Sequence, residues 1–247
     1  MTPRRKRLPD AGRAALQLTA PTALSERFVA AQRERFQAVA EHAYFTRVGA
    51  EATPAQMRKA LLGFYPLIEA FPRWMGTVLS RIDAGERPRA AEARDWYVRN
   101  ITVEERHREW WIDCGIPLGL SPDDFTRHRP PAAMEAHQHF LFHVVHEGSV
   151  AEAAAALNYA VEGATGQWAR RMRTAARARF QALGLRFDDR ALRWVDAHAG
   201  YDDAHPAEAL EVVKIFATDE ASMAQAAEAA VRSLEYYAMA LDEALRA

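Results

Sequence analysis

Apolar residues recur at spacings of three and four along almost the whole 247-residue chain, and this periodicity limits the folds it can adopt. Such spacing puts apolar side chains on one face of an α-helix, whereas a half-buried strand needs alternation with period two. No segment combines that alternation with the turn residues of a hairpin. The sequence therefore predicts an all-α fold, interpreted as a single domain of seven or eight helices.

Capping residues indicate where the helices begin. Thr53-Pro54 and Ser121-Pro122 each place a capping side chain before a proline at the first helical position. Pro66 and Pro72 lie inside the second predicted helix and should kink or break it. The predicted helices run from Ser25 to about Val48, from Thr53 to about Ile82, from about Arg89 to Cys114, briefly from Ser121, from Pro131 through MEAHQHFLFHVVHEG, from Ser149 to about Leu183, from Asp189 to Pro206, onward through AEALEVVKIFA, and from about Asp219 to Leu245.

Charge and composition exclude several functional classes. The net charge is −1 and the pI about 6.8, so no overall field favours nucleic acid or an anionic membrane. No apolar run approaches the ~18 residues that a membrane span needs. Cys114 is the one cysteine and cannot form an internal disulfide, which favours the cytoplasm. Residues 1–23 are predicted to be a disordered basic tail, followed by a single domain over 24–247.

The stretch LRWVDAHAGYDDAHPAEAL, residues 192–210, carries the first candidate metal ligands. His198, Asp202 and His205 are spaced i, i+4 and i+7, which places them on one helix face. Two imidazoles and a carboxylate suit iron, manganese or zinc. Pro206 should make the helix bend or restart next to His205. An ordinary polar helix face would show the same spacing.

A second stretch repeats that spacing with His139, His143 and His146. Apolar residues interleave these histidines so closely that we expect at least one of them to bond backbone or core groups. They are therefore predicted to have a supporting or structural role rather than to be ligands.

Two further segments supply carboxylates and an imidazole. Glu104 and His107 are i, i+3 neighbours, a spacing that recurs in di-iron bundles and also in surface ion pairs. Glu162 lies in NYAVEGATGQW, among apolar and small residues. A buried glutamate is costly unless it is paired or binds a metal.

Together these segments give six candidate ligands: Glu104, His107, Glu162, His198, Asp202 and His205. Carboxylates and histidines without thiolates disfavour structural zinc and iron–sulfur clusters. The same set with open positions suits dioxygen activation at iron. Other chemistries lack support, since the chain has no phosphate-binding glycine loop, no GxSxG and no CxxC, and nothing near Cys114 indicates a lowered pKa.

The blocks NYAVEGATGQW and HAGYDDAHPAEALE, with EHAYF, LLGFYPLIEAF and RNITVEERHREWW, closely resemble the undecene-forming non-haem iron oxidases (UndA-type). The resemblance covers most of the chain. It implies the haem-oxygenase-like helical bundle shared with TenA and PqqC proteins. It also implies that Glu104, His107, Glu162 and His198 bind iron, while Asp202 and His205 complete a second, more labile iron position.

The activity implied by the resemblance is oxidative decarboxylation of a medium-chain fatty acid to a terminal alkene. Ferrous iron, dioxygen and an external electron donor would be required, and a homodimer is common for the fold. The chain departs from the expected pattern at Phe64, Tyr65, Pro72 and Arg73. A bulky Phe64 could shorten the accepted chain, and an inward-facing Arg73 would demand an anionic partner.

Two other interpretations remain open at this stage. The same scaffold could oxidise an amino acid or amine, by C–C cleavage or N-oxygenation, and inward-facing Arg73 and Glu69 would favour this. The chain could also be a metal-free, TenA-like hydrolase or a small-molecule binding protein, which would take up no stoichiometric iron.

Overall fold

The computed structural model describes residues 16–201 and 205–246, and these residues form an all-α bundle. The prediction of an all-α fold is confirmed. The helices are α1 (Ala23–Ala40), α2 (Ala43–Glu51), α3 (Pro54–Ser80), α4 (Ala90–Gly115), α5 (Pro122–Arg127), α6 (Ala132–Glu147), α7 (Val150–Ala154), α8 (Gly163–Ala182), α9 (Arg193–Tyr201), α10 (His205–Phe216) and α11 (Glu220–Arg246). A π-helical segment, Ala155–Glu162, joins α7 to α8, and a 3-10 turn, Ile116–Leu118, follows α4.

Two long helix pairs frame the bundle, α3 packing along α4 and α1 along α11. The π-helical segment lies between α11 and α10, so it runs through the middle of the core. Its residues Ala155, Ala156 and Leu157 have no solvent exposure. Helix α9 packs on α8 and α4, so His198 lies against the helix that carries Glu104 and His107.

The predicted helix from Ser25 to Val48 is in fact two helices that meet at Glu41 and His42. The imidazole Nδ1 of His42 accepts a hydrogen bond from the Tyr44 N–H at 3.1 Å and so caps the start of α2. The cap of α1 is also one turn earlier than predicted. Thr22 is the N-cap, and Ser25 is the third helical residue, completing a capping box with it.

The prediction that Pro66 and Pro72 would kink or break their helix is wrong in its stronger form, because α3 is continuous from Pro54 to Ser80. The helix packs against α4 and α6, and this packing of its large apolar residues outweighs the lost backbone hydrogen bonds.

Part of the predicted basic tail packs on the bundle. Leu16 is buried, and both the N–H and the hydroxyl of Thr19 donate to the Glu211 carboxylate on α10. Packing is therefore seen from Leu16 onward, while residues 1–15 lie outside the described part. In that described part, no helix is long and apolar enough to span a bilayer.

Candidate metal centre

Glu104 and His107 lie side by side on the buried face of α4. The Glu104 Oε2 and His107 Nδ1 atoms are 2.6 Å apart, and both side chains are over nine-tenths buried. Burial by itself would raise the pKa of the Glu104 carboxyl, but His107 and two further histidines lower it below its ordinary value. The surface ion pair considered from the sequence is thus replaced by a buried carboxylate facing imidazoles.

Glu162 is the last residue of the π-helical segment and is buried, as its sequence context predicts. Its Oε2 lies 3.0 Å from His205 Nδ1, and its Oε1 accepts a hydrogen bond from Asn158 Nδ2 at 2.6 Å. Burial raises the pKa of Glu162, and the nearby Glu104 carboxylate raises it further. A multivalent cation would relieve the electrostatic repulsion between these two buried carboxylates.

The π-helical backbone helps to hold Glu162. Asn158 and Glu162 both lie in this segment, about one turn apart, and the Asn158 amide donates to the Glu162 carboxylate. The Tyr97 hydroxyl on α4 donates to Asn158 Oδ1 at 3.0 Å and so orients the amide. Glycine is needed directly afterwards, since a Cβ on Gly163 would lie 2.5 Å from the Phe36 ring. Glu162 is therefore positioned by partners that the sequence argument did not identify.

His198 projects from α9 toward His107, with 4.4 Å between the two ring centroids. Its Nδ1 lies 2.8 Å from the Trp194 carbonyl oxygen, so Nδ1 carries the proton and Nε2 is left as the metal-binding atom. The Trp194 ring stacks on the His198 imidazole, with 3.8 Å between the two ring centroids. Burial, and then the proximity of His107, lowers the pKa of His198 to about 3. The imidazole is therefore neutral at physiological pH, the form that binds metal.

His198 lies on α9, which is described as far as Tyr201, and His205 begins the described part of α10, with Pro206 in its first turn. Residues 202–204 lie outside the described part, so the shared helix face and the bend or restart at Pro206 stay predictions. His205 also reaches the centre. Ligand atoms of Glu104, Glu162 and His205 all lie within 4.8 Å of one another. Asp202 lies outside the described residues, and its role as a ligand stays a prediction.

The competing histidines on α6 lie at the protein surface. His139, His143 and His146 are all exposed, and His146 Nδ1 lies 2.8 Å from the Phe142 carbonyl oxygen, so at least one of them bonds the backbone, as predicted. The fully buried histidine of this helix is His137, which the sequence argument missed. Its Nε2 lies 3.2 Å from Ser233 Oγ, and Ser233 donates to the Ala156 carbonyl of the π-helical segment. His137 lies three residues after Met134 and four before Leu141, both buried, and this spacing could have predicted that His137 is on the buried face of the helix.

A small cavity, the metal cavity, lies against these ligands. Glu104, His107, Glu162 and His198 line it on one side, and apolar residues of α3 line the other. Thr165 and Tyr237 add two hydroxyls to its wall, 3.3 Å apart. The Tyr237 hydroxyl also accepts a hydrogen bond from Trp168 Nε1 at 2.9 Å.

A larger cavity, the apolar cavity, adjoins the metal cavity. The two share the side chains of Phe64, Trp111 and Trp168. The remaining lining is apolar apart from the Tyr44 hydroxyl and the Cys114 thiol, and includes Met57, Leu118, Met172 and Phe180. Burial raises the pKa of the Cys114 thiol to about 12, so this cysteine is not a nucleophile at neutral pH.

The donor set fits iron. Carboxylates and neutral imidazoles converge in a buried site, and no thiolate is present among them. Glu104, His107, Glu162, His198 and His205 are the described residues able to hold metal there; the division into a firm and a labile iron position stays a prediction.

Comparison with known proteins agrees with this chemistry. A family described as "iron-containing redox enzyme" matches residues 58–238. The solved structure of a TenA homologue from Pseudomonas syringae pv. tomato is 26% identical, with a TM-score of 0.83 over 94% of this chain and 100% of that chain. A domain of unknown function with a haem-oxygenase-like fold, from Shewanella denitrificans, is 14% identical, with a TM-score of 0.72 over 92% and 94% of the two chains. This last likeness concerns the fold alone.

A curated relative, 4-aminobenzoate synthase from Chlamydia trachomatis, is 28% identical over 101 residues. That segment spans 39% of this chain and 41% of the relative, so less than half of the relative is matched. The family match covers far more of the sequence, including Glu104, His107, Glu162, His198 and His205. The chain therefore belongs to the family of iron-containing redox enzymes and has the haem-oxygenase-like fold.

Proposed function

We propose that this protein is an iron- and dioxygen-dependent oxidase that converts a medium-chain fatty acid to a terminal alkene and carbon dioxide. The observation that carries the proposal is the apolar cavity adjoining the buried carboxylate–histidine centre. A substrate that fills both cavities needs an anionic or polar end at the metal and a long apolar remainder. A fatty acid has this form, and the sequence resemblance to the UndA-type oxidases points to the same substrate.

The chain's own residues would divide the work as follows. Glu104, His107, Glu162 and His198 would hold one iron, and His205 with Asp202 a second. When bound, iron would supply the dioxygen activation needed to remove hydrogen from the carbon β to the carboxylate. Trp111, Trp168 and Trp194 close the cavity walls and exclude water from the reacting end. Reduction of dioxygen to two waters takes two electrons from the substrate and two from an external donor.

An amino acid or amine is the other substrate class considered. That interpretation needs Arg73 and Glu69 to face a polar pocket. The Arg73 side chain is instead 68% exposed and reaches Glu69 across the helix surface at 3.8 Å. The feature that would favour this second class is thus missing from the described residues.

The direct test is product formation by anaerobically iron-loaded protein. Decanoic, dodecanoic and tetradecanoic acids, supplied with dioxygen and a reductant, are expected to release terminal alkenes one carbon shorter into the headspace, measured by gas chromatography. His198→Ala should abolish the product, whereas His143→Ala on the exposed face of α6 should not. Iron uptake without any alkene across these acids would contradict the substrate assignment, and no iron uptake would favour the metal-free alternative.

Replacing Phe64 with alanine is expected to shift the preference toward longer acids. Phe64 is buried in the wall between the two cavities, so truncation joins them. Each additional methylene that then fits should improve binding about fourfold, from ~0.8 kcal/mol per buried methylene. Competition between dodecanoic and tetradecanoic acid measures the shift. Leu141→Ala, a core truncation away from both cavities, should lower stability with no change in this ratio.

A further inference from the structure

A third cavity, the vestibule, opens at the surface between α2, α3 and α11. Its rim includes Arg47 and Lys59, both exposed, and one carboxylate, Glu51. In the part of the chain that the structure describes, neither cation forms an ion pair. Unpaired cations at the mouth of a cavity raise the local concentration of anions and the rate at which they bind.

The vestibule leads to both inner cavities. Tyr44, Ala60 and Phe64 line the vestibule and the apolar cavity together. Phe64 also lines the metal cavity, so this one side chain stands where the three spaces meet. A molecule that starts in the vestibule therefore has a short path to the apolar cavity and, past Phe64, to the metal ligands.

The passage itself contains a polar group that lacks a partner. Tyr44 is 5% exposed, and its hydroxyl has no hydrogen bond to any described residue. A buried hydroxyl without a partner is destabilising, so its presence at this position calls for an occupant that pairs with it. Burial also raises the pKa of Tyr44, which keeps the hydroxyl neutral and able to donate.

We infer that the vestibule is the access site for an amphipathic acid, with Arg47 and Lys59 receiving the carboxylate while the tail passes between Tyr44, Ala60 and Phe64 into the apolar cavity. The head group then moves past Phe64 to the metal cavity. The identity of the ligand as a fatty acid rests on the proposed function. The route rests on the cavities, the two cations and the Tyr44 hydroxyl.

A second surface groove offers the competing route. It is lined by Asp113, Arg186 and Arg190 and, among the described residues, shares only Ala191 with the apolar cavity. Arg190 is already paired with Asp113 at 2.7 Å, so this groove attracts anions less. Arg186 is exposed, so replacing it with glutamate is a charge reversal matched to the same replacement of Arg47 and Lys59 in the vestibule.

The test measures association of dodecanoate with the iron-loaded protein under anaerobic conditions, where no turnover occurs. Stopped-flow quenching of tryptophan fluorescence reports arrival, because Trp111 and Trp168 line both inner cavities. The double variant Arg47→Glu/Lys59→Glu is expected to bind dodecanoate about tenfold more slowly at low salt, and the difference should shrink at high salt. Methyl dodecanoate, which is neutral, should bind both proteins at the same rate. Ala60→Phe should slow both ligands by narrowing the passage.

Arg186→Glu is the control and should leave the dodecanoate rate unchanged. A slower rate in Arg186→Glu, or an unchanged rate in both the vestibule double variant and Ala60→Phe, overturns the inference. These results are separate from product formation. Alkene formed without any dependence on the vestibule would leave the proposed function standing and refute the route, whereas vestibule-dependent binding without alkene would support the route and refute the function.

Discussion

Replacing Glu162 with glutamine is expected to abolish iron binding and oxidase activity while leaving the fold intact. Glu162 is the carboxylate between the α4 ligands and His205, so its loss affects every metal position considered for this site. A neutral amide is a poor ligand for ferrous iron. Because glutamine has the same size and can still accept from Asn158, the surrounding packing should be preserved.

Thermal unfolding with and without iron separates this effect from misfolding. Burial raises the pKa of Glu162, so the ionised carboxylate destabilises the metal-free protein at neutral pH. Metal-free Glu162→Gln should therefore be at least as stable as the metal-free parent. Ferrous iron at a hundred times its Kd should stabilise the parent by about 2.7 kcal/mol and leave the variant unchanged.

His143→Gln is the matched control, because His143 belongs to the rival i, i+4, i+7 set but is exposed on α6. It should bind iron as the parent does. Stoichiometric iron and undiminished activity in Glu162→Gln would show that Glu162 is not a ligand.

Local spacing was sufficient to predict the helical class and the burial of Glu162, because a charged residue inside an apolar run has few exposed positions available. For Glu104 and His107, the i, i+3 spacing showed that the two side chains share a helix face. The same spacing fitted a surface ion pair at least as well, so their burial on α4 did not follow from it.

Contacts between residues on different helices could not be predicted from local spacing. His205 meets Glu162 across 43 positions of the sequence, and its spacing to His198 and Asp202 did not indicate this partner. The buried histidine of α6, His137, was not identified, because interleaved apolar residues do not reveal which face of the helix its neighbours cover. The π-helical segment was also unforeseen, since its wider turn depends on packing against α10 and α11.

Replacing Asn158 with leucine is expected to weaken iron binding by about 10–100-fold, the usual effect of removing a group that orients a metal ligand. Asn158 has no solvent exposure and holds Glu162 Oε1 at 2.6 Å. Leucine has the same branched arrangement of side-chain heavy atoms but cannot donate, so Glu162 would lose the bond that fixes its orientation. Competition with a chromophoric chelator under anaerobic conditions measures the change in affinity.

Tyr97→Phe distinguishes orientation from general stability. It removes the hydroxyl that directs the Asn158 amide but leaves the donor to Glu162 in place, so iron binding should weaken less than in Asn158→Leu. A purely structural role would lower the unfolding temperature of both variants and leave iron affinity at the parental value. If iron binding is weaker in both variants, and weakest in Asn158→Leu, the hydrogen bonds from Tyr97 to Asn158 and from Asn158 to Glu162 orient the carboxylate before metal arrives. The π-helical backbone that carries Asn158 and Glu162 would then contribute directly to the chemistry of the centre.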